Sequence, residues 1–207
     1  MRSYKYILTS CAILFALSTR AQENKSAQPA SSKPKHAIQF QSINQIGLLE
    51  GTDGGAFQIQ TINGIEFRSW FLGIGVGIDN YRLRSVPLFV DLRKEFKVGT
   101  NYFFTYGGIG RNFMWPTNKQ KQDYHVNAYG VSDFKDGLYY DFGIGYKVPL
   151  NNRIAVFISP GFSHKSTETT TASNQPVICP FAGPCYPNPD TYKYALNRLS
   201  INIGIVF

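Results

Sequence analysis

Residues 72–78 read LGIGVGI. Leu72, Ile74, Val76 and Ile78 alternate with Gly73, Gly75 and Gly77, so every second residue is aliphatic and each residue between is glycine. Side chains at i and i+2 share one face of a β-strand, and strict alternation marks a strand with two unlike faces. Two architectures use this pattern. In a soluble barrel or sandwich the apolar face turns inward and the polar face meets water. In a membrane barrel the apolar face meets lipid and the polar face points into the lumen. Glycine separates the two. A water-facing strand would carry Lys, Glu and Thr, and glycine weakens a strand unless something needs the room. The interior of an eight-stranded barrel is just wide enough for side chains. Glycines there are expected to make space for large inward groups, here Arg93, Tyr139 and Lys147.

The same alternation recurs outward from this stretch. Val86, Leu88, Val90 and Leu92 oppose Pro87, Phe89, Asp91, Arg93 and Glu95. Leu138, Tyr140, Phe142, Ile144, Tyr146 and Val148 oppose Tyr139, Asp141, Gly143, Gly145 and Lys147. Residues 57–67, 154–162 and 199–207 repeat it, and weaker strands lie near 43–50 and 101–111. Most of the eight are ~9–12 residues long, the length of a tilted membrane-spanning strand rather than the ~5–6 usual in soluble sheets. The expected fold is all-β: an eight-stranded antiparallel up-and-down transmembrane β-barrel over residues 41–207. Glu66, Asp91, Glu95 and Asp141 would share the lumen with Arg93, Lys147 and Arg198 as a salt-bridged network, because charges inside a membrane must pair. That predicts a filled lumen without a large pore. Phe67, Trp70, Phe71, Tyr81, Tyr102, Tyr146 and Phe207 are candidates for interfacial girdles.

Composition agrees. The 207 residues are 15% aromatic and only 16% charged, with 19 glycines. That is too aromatic for a disordered chain and too poor in charge for a coiled coil. A mean hydropathy of −0.20 excludes a polytopic helical membrane protein. Residues 1–21 read as a signal peptide: basic Arg2 and Lys5, an apolar run over Tyr6–Leu17, and a small-polar stretch ending at Ala21. Most of the apolar run follows Cys11, which argues against lipidation there. Cleavage leaves 18 basic against 13 acidic residues, a charge of +5. Residues 22–40, rich in Ala, Ser, Lys, Gln and Pro, read as a flexible periplasmic tail. Cys179 and Cys185 are an even pair in an exported chain and imply a disulfide.

The predicted links after strands 2, 4 and 6 are short, those after strands 1 and 3 modest, and those after 5 and 7 long (112–136 and 164–193). Short periplasmic turns and longer outer loops are the bacterial pattern. With an even strand number, both termini are then periplasmic and the long loops extracellular.

The blocks Ile59–Gly64, Gly73–Asp79 and Val86–Arg93, with Gly143–Lys147 and Asn197–Ile201, resemble the small outer-membrane β-barrels (PorT-like, loosely OmpA-like) of Gram-negative bacteria over about 40–207. The resemblance implies a location in the bacterial outer membrane and says little of activity. The terminal Phe207 resembles the C-terminal signal read by the barrel assembly machinery.

Chemical motifs are sparse. His164, Ser166 and Glu168 resemble the site of outer-membrane lipid A deacylases, with His as base, Ser as nucleophile and Glu as orienter. The plainer reading is a polar strand end. His125 and Asp123 lack a further ligand at metal spacing, so no metal and no cofactor is expected. Export argues against nucleic acid despite the basic charge. Arg82 and Arg84 are candidates for lipopolysaccharide phosphates. The expected function is therefore a non-enzymatic structural or interaction role through the long loops, with outer-membrane lipid and envelope proteins as partners. A lipid-modifying enzyme is the alternative.

Overall fold

A computed structural model describes residues 38–121, 131–151, 153–171 and 190–207. The strands are β1 (Gln39–Gly51), β2 (Gly54–Phe67), β3 (Trp70–Asp79), β4 (Ser85–Val98), β5 (Asn101–Met114), β6 (Val131–Lys135), β7 (Gly137–Pro149), β8 (Ala155–Thr171) and β9 (Asp190–Val206). Each pairs antiparallel with its neighbour along the chain from β1 to β5, then β5 with β7, β7 with β8 and β8 with β9. The β1–β9 ladder closes the cylinder. Strands β6 and β7 both pair with β8, at successive heights. They are two parts of one stave broken at Asp136, so the barrel has eight staves. No helix among the described residues is long and apolar enough to span a membrane; one helical turn covers 118–121.

Following the ladder once round gives the stagger. Gln41 pairs with Gly64, which leads through Gly73, Asp91, Gly108, Asp141, Ser163 and Arg198 back to Gly51 on β1. The path returns ten residues beyond its start. Strand number and stagger together set the tilt, in the ~35–45° range of closed barrels. Every residue on this path faces inward.

The two faces separate cleanly. Ile46, Ile59, Ile74 and Ile203 point away from the barrel and are 57–65% exposed, while Asp91, Arg93, Lys165 and Arg198 point inward and are at most 5% exposed. The aliphatic rows run round the outer wall, from Leu72 and Ile78 to Ile144, Ile158 and Ile201. An exposed apolar belt of this extent is incompatible with water, and hydrocarbon is the medium it fits. The fold is a closed transmembrane β-barrel.

The glycines serve a different purpose from the one expected. A Cβ on Gly75 would overlap the ring of Phe89, one on Gly145 that of Phe104, and one on Gly204 that of Phe157. Gly143 and Gly161 face Tyr106. The large groups they admit are thus aromatic rings, not Arg93, Tyr139 or Lys147. The lumen is correspondingly richer in aromatics than a salt-bridged core: Phe71, Phe89, Phe104, Tyr106, Tyr139 and Phe157 form one buried cluster. Phe71 and Tyr81, candidates for the girdle, lie inside at 2% and 1% exposure.

Several boundaries also move. The barrel starts at Gln39, and β8 runs on to Thr171 where a loop from 164 was expected. β9 already begins at Asp190. The β2–β3 turn holds Arg68 and Ser69 at φ 52° and 72°. Two successive positive φ angles match the twist of a tight hairpin.

Candidate functional site

The barrel has two unlike ends. At one lie the turns β2–β3, β4–β5 and β7–β8, together with Gln39 and Phe207; this is the turn rim. At the other lie β1–β2, β3–β4 and the long connections after β5 and β8; this is the loop rim. Between them the lumen is plugged in three tiers.

Nearest the turn rim, Lys147 pairs with Glu95. Gln41 donates to the Glu66 carboxylate at 2.9 Å. The void between these groups, lined by Arg93, Phe104 and Phe157, measures ≈ 10 Å³, at the lower limit for a single water. Arg93 donates from Nε to Asp91 at 2.8 Å. Its guanidinium sits 5.4–5.6 Å from the ring centres of Phe104, Tyr106 and Phe157. The ion pair and the aromatic faces together compensate its burial.

The middle tier is amide and phenol. Gln60 donates to the Tyr139 hydroxyl at 2.8 Å, and Gln58 to the Asn202 carbonyl at 2.6 Å. Tyr139 packs on Phe89 with ring centres 5.2 Å apart. Asp141 belongs to this tier; its Oδ1 is buried without a hydrogen-bond partner.

Toward the loop rim a second ionic cluster closes the cylinder. Asp79 receives Arg198 on one carboxylate oxygen and Lys165, at 3.2 Å, on the other. Arg198 also donates to the Ser163 hydroxyl at 2.6 Å. Lys165 donates to the Leu83 carbonyl at 3.0 Å and the Ser85 hydroxyl at 3.1 Å. Tyr81 lies under the Arg198 guanidinium, 5.3 Å from ring centre to Cζ. All the Asp79, Lys165 and Arg198 side chains are at most 1% exposed.

Of the predicted lumen charges, the structure joins Asp91 with Arg93 and Glu95 with Lys147. Glu66 is bound to Gln41 rather than to a cation, and Asp141 forms no ion pair among the described residues. Asp79 and Lys165 were missed, since both fell in expected loops. The signal was present in the phase: Asp79 continues the inward series of Gly73, Gly75 and Gly77, and Lys165 that of Ser159, Gly161 and Ser163.

His164, Ser166 and Glu168 share the outward face of β8 but are engaged separately. The His164 ring stacks on Tyr140 with centres 4.7 Å apart, and its Nδ1 is 2.7 Å from the Asn197 side-chain oxygen. The Ser166 hydroxyl accepts the Leu138 N–H at 2.8 Å. Glu168 binds Lys135 at 2.6 Å. This exposed ion pair holds the Glu168 carboxyl below its ordinary range and raises the Lys135 ammonium. Among the described contacts no hydrogen bond links the three. Phe207 is tied into the seam by reciprocal backbone bonds with Ser42, at 2.7 and 3.0 Å.

At the loop rim Arg82 pairs with Asp53 at 3.1 Å, and its guanidinium lies over Tyr194. Arg84 lies over Trp115, 4.1 Å from its ring centre. Cys179, Cys185, His125, Asp123 and residues 1–37 lie outside the described residues. No group of three or more His, Cys, Asp or Glu side chains suited to a metal occurs among the described residues.

No protein-family model matches the chain, and no curated protein matches it. Solved structures similar to it include outer membrane protein AlkL, determined by solid-state NMR in DMPC bilayers, at 15% identity and a TM-score of 0.48 over 90% of this chain and 95% of that one. A de novo designed transmembrane β-barrel shows 13% identity and a TM-score of 0.36 over 86% and 98% of the two chains. The translocator domain of the autotransporter NalP from Neisseria meningitidis shows 12% and 0.24 over 98% and 95%. At these scores the architecture rests on the ladder and the two faces described above.

Proposed function

We propose that this chain is an outer-membrane β-barrel that acts through its loops, with a sealed lumen and no catalytic centre. One observation carries the reading: three tiers of buried ion pairs, amides and aromatic rings fill the cylinder between the rims, so the described residues leave no conduit. What remains available is the outer wall and the loop rim. The turn rim, with its short hairpins and the first and last strands, suits the periplasmic side. The loop rim, with the long connections after β5 and β8, suits the cell exterior. Lipopolysaccharide would meet Arg84 and the outward-facing Arg111 near that rim, and an envelope protein would meet the loops.

The test is capture of envelope partners from intact outer membranes by the full chain and by a variant in which residues 174–187 are replaced by a short turn. The expected result is a partner retained by the former and lost by the latter, with both barrels assembled. A partner held equally by both would sink the loop-based reading. Lipid A mass analysis with Ser166→Ala supplies the other arm: unchanged lipid A is expected, and lipid A that changes with this variant would instead make the barrel an enzyme.

A further inference from the structure

The outer wall has a depression near the turn rim. Its floor is Thr105 and Gly107 on β5; its walls are Leu92 and Phe96 on β4 and Trp70 on β3, with Lys94 at its edge, and it is an open hollow of ≈ 480 Å³. That is within the size range of small-molecule sites. Three observations make it more than an uneven patch of wall.

The first is Gly107. Most of the strand glycines face rings or backbone that a Cβ would strike, as Gly75 and Gly145 do. A Cβ on Gly107 would meet a single atom, the Asp141 carbonyl oxygen at 3.9 Å, and its backbone is not in the left-handed region. Neither lumen packing nor conformation accounts for glycine here. Its effect is outward: with Thr105, two residues along the same face, it leaves a hollow where the neighbouring outward side chains are Leu92, Phe96, Phe142 and Ile144.

The second is the cation at the edge. Lys94 faces outward and is the register partner of both Trp70 and Thr105. Its ammonium lies 4.7 Å from the Trp70 ring centre and has no carboxylate partner among the described ion pairs. A lysine so placed keeps its stem against the apolar wall and its charge at the interface. The third is its company. Lys97 stacks on Tyr102 and Arg68 on Phe67 along the same rim, again without acids among those pairs. The rim thus offers cations and awaits an anion.

An apolar hollow with a cation at its interfacial edge matches a lipid with an anionic head. We propose that this depression binds one glycerophospholipid of the periplasmic leaflet, an acyl chain lying across Gly107 between Leu92 and Phe96 and the phosphodiester held by Lys94. The leaflet follows from the orientation proposed above; the site itself does not depend on it. A charge-assisted hydrogen bond to the phosphate is worth ~1.5–3 kcal/mol, or about tenfold or more in affinity.

The experiment is native mass spectrometry of the full chain released from detergent micelles that contain phosphatidylglycerol and lipid A together. One retained lipid is expected for the parent and for Lys94→Arg. Retention should fall about tenfold or more in Lys94→Ala, which removes the charge, and in Gly107→Leu, which fills the hollow from outside the packed lumen. Either variant alone carries the test if the other does not assemble. Undiminished retention in the variants that assemble overturns the site, as does preferential retention of lipid A in place of phosphatidylglycerol. Orientation is read separately, by an impermeant thiol reagent on intact cells carrying Ser69→Cys in a chain whose Cys179 and Cys185 are replaced by Ser. Labelling there refutes the periplasmic placement and leaves the micelle result standing on its own.

Discussion

Gly145 and Phe104 show how tightly single positions are constrained. The Phe104 ring occupies the space a Cβ on Gly145 would need. It cannot swing away, because it also meets Phe157 edge-on at 5.4 Å and flanks the Arg93 guanidinium. Overpacking a filled core costs ~1–3 kcal/mol. Gly145→Ala should therefore lower the urea midpoint of unfolding, followed by the fluorescence of Trp70 and Trp115. Adding Phe104→Leu should recover part of the loss. A parental midpoint for the single variant would show that this ring is not what the glycine accommodates. At Gly75, Gly145 and Gly204 the missing Cβ leaves room for an aromatic ring of the neighbouring stave. Alternation alone could show that something large faced these glycines, but it put Phe89 and Arg93 on the same inward face and could not say which of them a given glycine meets. The actual partners sit on neighbouring staves.

Among the elements, β6 and the outer part of β8 stand apart. They pair beyond the apolar belt, through Lys135–Glu168 to Val131–Thr171. The alternation of apolar residues stops there because hydrocarbon no longer demands it. That is why residues 167–171, Thr-Glu-Thr-Thr-Thr, read as loop and fold as strand. Their attachment is polar, and the Lys135–Glu168 ion pair makes it pH-dependent. Glu168 is held below its ordinary pKa by Lys135, so its contribution is present above that ordinary value and is lost as pH falls through the lowered one. Lys135 is raised by the same bond, so its contribution is present below the ordinary lysine value and is lost as pH climbs through the raised one. Hydrogen exchange at the β6 amides, corrected for intrinsic rates, should accelerate relative to β7 at acid and at strongly alkaline pH. Glu168→Gln should remove that dependence, and salt should weaken it in the parent. Exchange that tracks β7 at all pH values would show that the pair does not hold β6.

Taken as a unit, the barrel is a plug within a wall. The cluster of Asp79, Lys165 and Arg198 spans three staves, β3, β8 and β9, and Arg93 joins β4 to the aromatic rings of β5 and β8. Removing Asp79 would leave Lys165 and Arg198 buried without a counter-charge, and removing Arg93 would leave Asp91 so; each is strongly destabilising, so the plug and the wall stand or fall together. In planar bilayers the purified chain should show no resolved unit conductance at neutral pH. Steady steps of the size given by open barrels would require a continuous water path that these tiers do not leave.

How much of this could be read from the chain follows from which medium touches each face. Hydrocarbon tolerates only apolar side chains on the outer wall, so each spanning segment announces itself by period two: LGIGVGI at 72–78 points to the fold class and the facing of its own residues, and the recurrence of the pattern along the chain gives the strand count. The lumen obeys a weaker rule: anything fits that fills space and satisfies its polar atoms, so aromatic, amide and ionic residues are interchangeable in pattern though not in place. Some of their meetings follow from hairpin register, as Gly75 against Phe89 does; others depend on closure and on the ten-residue stagger, which set Arg198 beside Asp79 across 119 residues of chain. The same holds for the hollow over Gly107, which exists because β3, β4 and β5 bring Trp70, Lys94 and Thr105 into one row. Local pattern reports the solvent of a strand; partners across strands are a matter of register, which the hairpins set between neighbours and the closed cylinder sets between strands far apart in sequence.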